Sequence, residues 1–317
     1  MLHTSRKYNM GQFHDTIMGT APRVIFDENS DNGLVICEKY IPSELLAEIL
    51  CHANLNTVLN CQLVCKRWKM LIQSYVWRKK AELTLGKSFP RYKKIPWEVF
   101  YLICKKKPFE KNLVKNHSGA NKKKYWRIVR EGGDSWNVEE PPVGVPELPL
   151  TEPVFEGKQV CFVTSFQSCL KMQLIDLVAE GFHPYVLDVI QPSIMVSEWY
   201  SCRWDCPAQY ECEVMLWKET NNDYDFVYYD NSALLDKFVF HDSIEGERQN
   251  KWIHVSHVFE NYGQGLRKIS FLHGGQDKSF WAGHYGSKMA GACVYVNIPS
   301  AVQHISDDEF DTQFLDE

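Results

Sequence analysis

The sequence predicts a multidomain α + β protein: a small unit of three short helices, a helical connector, and an antiparallel β-sandwich. Two observations carry that expectation. Between residues 43 and 72 apolar side chains recur at helical spacing, beginning with Leu45, Leu46, Ile49 and Leu50. Beyond about residue 111, short apolar runs alternate with turn-forming clusters such as Asn116–Gly119, Arg130–Asp134 and Pro141–Pro142. Many short strands between turns are the pattern of an antiparallel sandwich. A chain of 317 residues has room for about two domains.

In chain order, residues 1–38 are polar and irregular and read as a mobile arm, with a candidate strand at Arg23–Phe26. Helical character begins after Tyr40, with Ser43 as the candidate N-cap. Residues 54–65 supply a second short helix through Val58, Leu59, Leu63 and Val64, and Trp68, Leu71 and Ile72 supply a third. So short a unit, residues 39–74, cannot bury a large core and is expected to leave apolar surface for a partner. Residues 75–110 read as a helical connector, which Trp97, Phe100 and Tyr101 make too apolar for a flexible linker. The sandwich is assigned to 111–299. Its expected strands include Lys158–Thr164, Tyr210–Leu216, Phe226–Tyr229, Lys237–Phe240, Trp252–Phe259, Arg267–Leu272 and Ala292–Asn297. One segment inside it reads as a helix: the apolar spacing of Cys169–Glu180 is helical, and Gly181 would cap its end. Residues 300–317 are an acidic tail, read as disordered.

The stretch Leu272–Gly286 leaves a strand and reads as a loop, because four glycines and Asp277 supply turn chemistry. Phe280, Trp281 and Ala282 fall at its tip. Two readings of the aromatic pair are open. It is either a platform for a flat apolar ligand face, such as that of a sugar ring, or filling beneath its own loop.

Composition excludes several function classes. A net charge of −5 is too mild to imply nucleic acid as a partner. The runs Lys105–Lys107 and Lys122–Lys124 read as solvated faces. The N-terminal stretch lacks the apolar segment of a secretory signal, and no apolar run approaches the about 20 residues of a bilayer span. A cytoplasmic location without membrane insertion is therefore expected, with the 11 cysteines as reduced thiols. Cys202, Cys206 and Cys212 are spaced too loosely for a zinc site. No P-loop, nucleophile elbow, H-E-x-x-H or Rossmann glycine pattern occurs, so no catalytic residue, metal or cofactor is assigned. His254 and His257 fall on opposite faces of one strand. An enzyme acting on carbohydrate would normally need two carboxylates, and the Gly274–Gly286 loop offers only Asp277.

Two resemblances sharpen this. The opening Ile41-Pro42-Ser43-Glu44-Leu45-Leu46 and the close Val64-Cys65-Lys66-Arg67-Trp68 resemble an F-box, with Ile41 in place of the usual leucine. The resemblance implies docking of a Skp-type adaptor, and through it cullin and RING subunits, by Pro42, Leu45, Leu46, Ile49, Leu50, Leu63, Val64 and Trp68. Residues from about 112 to 298 resemble the F-box-associated (FBA) domain of the glycoprotein-recognising F-box family. The segments 112–116, 132–140, 162–182, 191–211 and 259–289 carry that resemblance.

It implies an antiparallel β-sandwich related to galactose-binding folds. It also implies a ubiquitin-ligase substrate receptor for high-mannose N-glycans on misfolded glycoproteins, acting in ER-associated degradation. The family's glycan pocket falls on Phe166, Phe280, Trp281 and Ala282, where glycan-binding members carry Tyr-Trp-Lys at the last three. The stacking tryptophan is kept, while a hydroxyl and an amine are gone. A lost neutral hydrogen bond is worth about 0.5–1.5 kcal/mol and a charged one about 1.5–3 kcal/mol, so binding weakens by an order of magnitude or more. The alternative is a receptor that reads a protein surface, with the sandwich as scaffold.

Overall fold

The computed structural model describes residues 33–89, 95–219 and 231–299. The candidate strands at Arg23–Phe26 and Phe226–Tyr229 and the acidic tail lie outside the described residues.

The helical part opens with a two-residue-per-strand hairpin, β1 (Val35–Ile36) and β2 (Lys39–Tyr40). Pro42 rather than Ser43 holds the N-cap position of α1 (Ser43–His52), since its extended backbone delivers the chain into the first turn. Asn54 caps α2 (Leu55–Cys61) by accepting a hydrogen bond from Thr57 N at 2.8 Å. That helix stops at Cys61, so Leu63 and Val64, expected within it, lie in the turn before α3 (Lys66–Leu71). One π-helical turn, Ile72–Val76, joins α3 to α4 (Trp77–Leu85), which Gly86 ends at φ +67°. Ile72, Val76, Trp77 and Ala81 are fully buried. Trp77 stacks on Trp97 of α5 (Trp97–Lys106) at 6.0 Å and takes Tyr101 edge-on at 5.2 Å.

A file of four phenylalanines leads from these helices into the sandwich. Phe89 meets Phe100 at 5.8 Å and Phe109 at 6.1 Å, and Phe109 meets Phe182 at 5.2 Å. Backbone bonds from Glu110 N to Val296 O and from Leu113 N to Val294 O fasten the connector to the last strand. The apolar core runs without a break from α1 to the sheets.

The sandwich has two five-stranded antiparallel sheets. The first is ordered β10 (Ile253–Phe259), β7 (Ile194–Ser201), β12 (Lys288–Val296), β5 (Cys161–Val163) and β4 (Asn137–Glu139). The second is ordered β3 (Arg127–Glu131), β6 (Cys169–Asp176), β11 (Leu266–Asp277), β8 (Ala208–Lys218) and β9 (Leu234–Ile244).

Two expectations are corrected here. Cys169–Asp176 is a strand, paired with β3 on one side and β11 on the other, and only Leu177–Glu180 is helical. Both faces of β6 are covered: Ile175 faces the sandwich interior, while Met172 packs outside with Met215 and Trp217. Apolar residues therefore fill consecutive positions, which reads as a helix. Gly274 and Gly275 form no turn. They lie inside β11, where a Cβ at Gly275 would stand 1.9 Å from Gln209 O and one at Gly274 2.0 Å from Cys169 O. Glycine is needed there for strand approach.

The interior holds a polar cluster that crosses between the sheets. Glu198 of β7 accepts a 2.5 Å hydrogen bond from the Tyr210 hydroxyl of β8 and lies 2.6 Å from His273 Nδ1 of β11. Lys171 of β6 is fully buried, with Nζ 3.5 Å from the ring centres of Trp136 and Phe162 and 5.1 Å from that of Trp126. His273 lies flat against Trp126 at 4.5 Å. The Lys171 amine has no hydrogen-bond partner among the described residues, so the ring faces are what solvate it. Burial holds that amine well below the ordinary lysine range and pushes the Glu198 carboxyl up to about 8.

Between the ordinary 4.5 and that raised value, the folded chain keeps a proton on Glu198 that the unfolded chain has lost. The stability this group contributes is thus present at acid pH and declines as pH rises. Burial of Lys171 acts with the opposite sign: its neutral amine favours the fold at high pH and the contribution fades as pH falls. Glu198→Gln removes only the first titration. Urea midpoints measured from about pH 5 to 8 should show the variant gaining on the native chain as pH rises. A difference between the two midpoints that does not shift in the variant's favour as pH rises would mean that burial does not raise the carboxyl's titration.

Candidate functional site

Three loops meet at one end of the sandwich, and their own backbone chemistry ties them. β11 ends at Asp277, whose buried carboxylate Oδ1 accepts from Ser279 N at 3.0 Å and Phe280 N at 2.5 Å. This turn puts Phe280 at φ +56° and directs Phe280 and Trp281 outward, 69% and 45% exposed. Ala282 is exposed beside them. Asp277 N bonds Ser165 O at 3.0 Å and Lys278 N bonds Pro207 O at 2.9 Å, so the turn is held from both sides.

The second loop carries Phe166. Its neighbour Ser165 is buried and donates from Oγ to Gly283 O at 2.8 Å, while accepting from Asp134 N at 2.8 Å. The third loop closes the ring: Asp134 Oδ2 accepts from Gly283 N at 2.5 Å, and Asp134 O lies 3.1 Å from His284 Nε2. Phe166 is half-buried, its ring so close to Gly133 that a Cβ there would approach within 2.9 Å. Gly133, at φ +58°, thus gives Phe166 its place. Trp281 sits edge-on to Tyr285 at 5.6 Å, and Arg203 covers the Tyr285 ring at 4.8 Å. Two 2.8 Å bonds to Asp205 fix Arg203 and hold the Asp205 carboxyl below its usual range.

Phe166, Phe280, Trp281 and Ala282 therefore share one loop cluster. Of the two readings of the aromatic pair, burial under the loop does not fit the exposure of Phe280 and Trp281. Asp134, Ser165, Arg203 and Tyr285 were not singled out in the sequence. The only hint was the Gly-Gly-Asp run at 132–134, which reads as an ordinary turn.

The second candidate face lies on the helices. Leu45 and Ile49, one turn apart on α1, are exposed, as are Val64 and Leu63, the latter 84% exposed. Pro42 and Trp68 are half-buried, and Trp68 Nε1 donates to Gly33 O at 2.6 Å. Leu46 and Leu50, also expected at the adaptor, are 2% and 4% exposed and pack inside the chain's own helices. Adjacent stripes of one helix cannot both face outward. The outward stripe is Leu45 and Ile49.

Among the described residues no group of three or more His, Cys, Asp or Glu is placed to hold a metal ion. Cys202, Cys206 and Cys212 are separately buried thiols, and burial pushes Cys202 up to about 12. No helix among the described residues is long and apolar enough to cross a membrane.

Comparison with known proteins places these two faces in matched segments. A family described as F-box-like matches residues 39–82, and one described as F-box associated region matches residues 104–296. Rat F-box only protein 6 is 33% identical over 261 residues, covering 81% of this chain and 86% of its own. Bovine F-box only protein 2 is 35% identical over 260 residues, covering 81% of this chain and 82% of its own. Mouse F-box only protein 27 is 33% identical over 273 residues, covering 81% and 90%.

The loop clamp makes its own prediction. Asp134→Ala should free the Gly283 amide, speeding its hydrogen exchange by about tenfold or more while leaving core amides protected. Trp281→Ala should barely move the thermal midpoint, because an exposed side chain supports little of the core. A drop matching the about 3–5 kcal/mol of a buried tryptophan would contradict that placement.

Proposed function

The chain belongs to the F-box proteins that carry an F-box-associated region, and from that premise we propose that it is the substrate-binding subunit of a Skp-cullin-F-box ubiquitin ligase. In this reading Leu45, Ile49, Leu63 and Val64 dock a Skp-type adaptor. Each would lose water-exposed apolar area, worth about 25 cal/mol per Å² buried. The loops around Trp281 take N-linked high-mannose glycans of misfolded glycoproteins in the cytoplasm, feeding ER-associated degradation. The protein contributes no reaction of its own; it positions a substrate.

The observation that carries the glycan reading is the exposed Phe280–Trp281 pair on a turn fastened through Asp277, Ser165 and Asp134. A sugar ring presents slightly positive C–H groups that suit the negative indole face. A platform already rigid loses little entropy on binding. A second reading is supported by Phe280 and Ala282, which offer neither hydroxyl nor amine beside the indole. It makes the same loops a contact for an apolar protein surface.

Ile49→Asp combined with Leu63→Asp should stop co-purification of adaptor and cullin without lowering the thermal midpoint, because both side chains are solvent-facing. Recovery of both subunits at native levels would sink the docking proposal. For the loops, titration calorimetry with chitobiose-containing glycans separates the two readings. Trp281→Ala should abolish binding, and Ala282→Lys with Phe280→Tyr should strengthen it about tenfold or more. Absence of binding in both the native and the restored chain would favour the protein-surface reading.

A further inference from the structure

A second concavity lies on the outer face of the second sheet. Strand alternation turns Gln209 and Glu211 of β8, His241 and Ser243 of β9, Gln276 of β11 and Arg130 of β3 to this face. Register places them in rows: Gln276 beside Gln209 beside Ser243, and Gly274 beside Glu211 beside His241. Gly275 lines the middle with bare backbone, and a cleft of about 470 Å³ results. Its side chains are preset. Gln276 Nε2 donates to Gln209 Oε1 at 3.2 Å, Arg130 Nη1 donates to Ser168 Oγ at 3.1 Å, and His241 Nδ1 lies 4.0 Å from Glu211 Oε2. The opposite end of each glutamine amide, one acceptor and one donor, has no partner among the described residues.

We propose that this cleft is a second ligand site, for an uncharged, hydroxyl-rich ligand of saccharide type. The volume falls in the range of small-molecule sites, about 300–1,000 Å³. The lining excludes the other classes. Tyr210 is buried and the exposed ring among the lining residues is the polar His241 imidazole, so a flat apolar ligand finds no apolar wall. One arginine faces one glutamate, and the Asp242 carboxylate is engaged by Arg248 and the Tyr200 hydroxyl, so no net charge selects an anion. A peptide strand would pair along a sheet edge, whereas this cleft lies on a face. What remains is a dense set of planar donors and acceptors on neighbouring strands, about 4.8 Å apart, the chemistry that hydroxyl groups satisfy from both sides. The site is independent of the glycan reading of Trp281, since it shares none of the aromatic residues of the loops.

The test is saturation-transfer NMR and calorimetry on the full chain with maltotriose, cellotriose and mannotriose, and with inorganic phosphate. At least one trisaccharide should bind. Gln209→Ala with Gln276→Ala should weaken it about tenfold or more, and Glu211→Gln should weaken it too. Trp281→Ala should leave that affinity unchanged. The proposal fails if no trisaccharide binds, if phosphate binds in preference, if the cleft variants bind as the native chain does, or if Trp281→Ala removes the same binding. The last result would assign the sugar to the loops and leave the reading of Trp281 standing.

Discussion

The bonds that Glu198 makes across the sandwich constrain everything above them. One sheet supplies the carboxyl, and the other supplies Tyr210 and His273. A slip of one residue in β7, β8 or β11 would turn these side chains to the opposite face and leave buried polar atoms without partners. An apolar interior would tolerate such a slip more readily. The cluster therefore fixes how the sheets face one another, at a cost in desolvation that Lys171 shares. Trp136, one wall of the Lys171 cage, follows Asp134 by two residues, so the loop clamp stands directly on this interior.

Much of the helical part was legible because its signals are local. The Leu45–Leu50 periodicity and the Trp68 close need only a few neighbouring residues to be read. Which of the paired leucines faces out was not legible, since Leu45 and Leu46 are chemically alike and only packing against the π-helical turn and α4 decides between them. In the sandwich, β8 was readable from its alternation, whereas β6 was not, because apolar neighbours cover it from both sides. Gly274 and Gly275 were misread for a related reason: glycine reports that backbone must come close, and sequence alone does not say whether a turn or a strand requires it. Lys171, Glu198 and His273 lie far apart in the chain, and nothing in their spacing announces that they meet.

The two candidate faces are built on opposite principles. The helical face owes its character to what the small core could not absorb: a short turn after α2 leaves Leu63 and Val64 with nothing of their own to cover. The loop face owes its character to polar fastening. Asp277, Ser165 and Asp134 spend their hydrogen bonds on backbone groups, and that is what holds large aromatic side chains in water instead of letting them collapse inward. Loops held in this way can change their tip residues, Phe280 and Ala282 among them, while the turn persists.

The phenylalanine file from Phe89 to Phe182 has a mechanical consequence. Interlocked rings leave little room for a swivel and oppose rotation of the helices against the sheets. A cargo held at the loops would then occupy a fixed bearing relative to whatever grips the helices. Transfer chemistry performed elsewhere in such an assembly would sweep only a limited shell of space, and the acceptor groups of a cargo would be chosen as much by where they fall in that shell as by what they are.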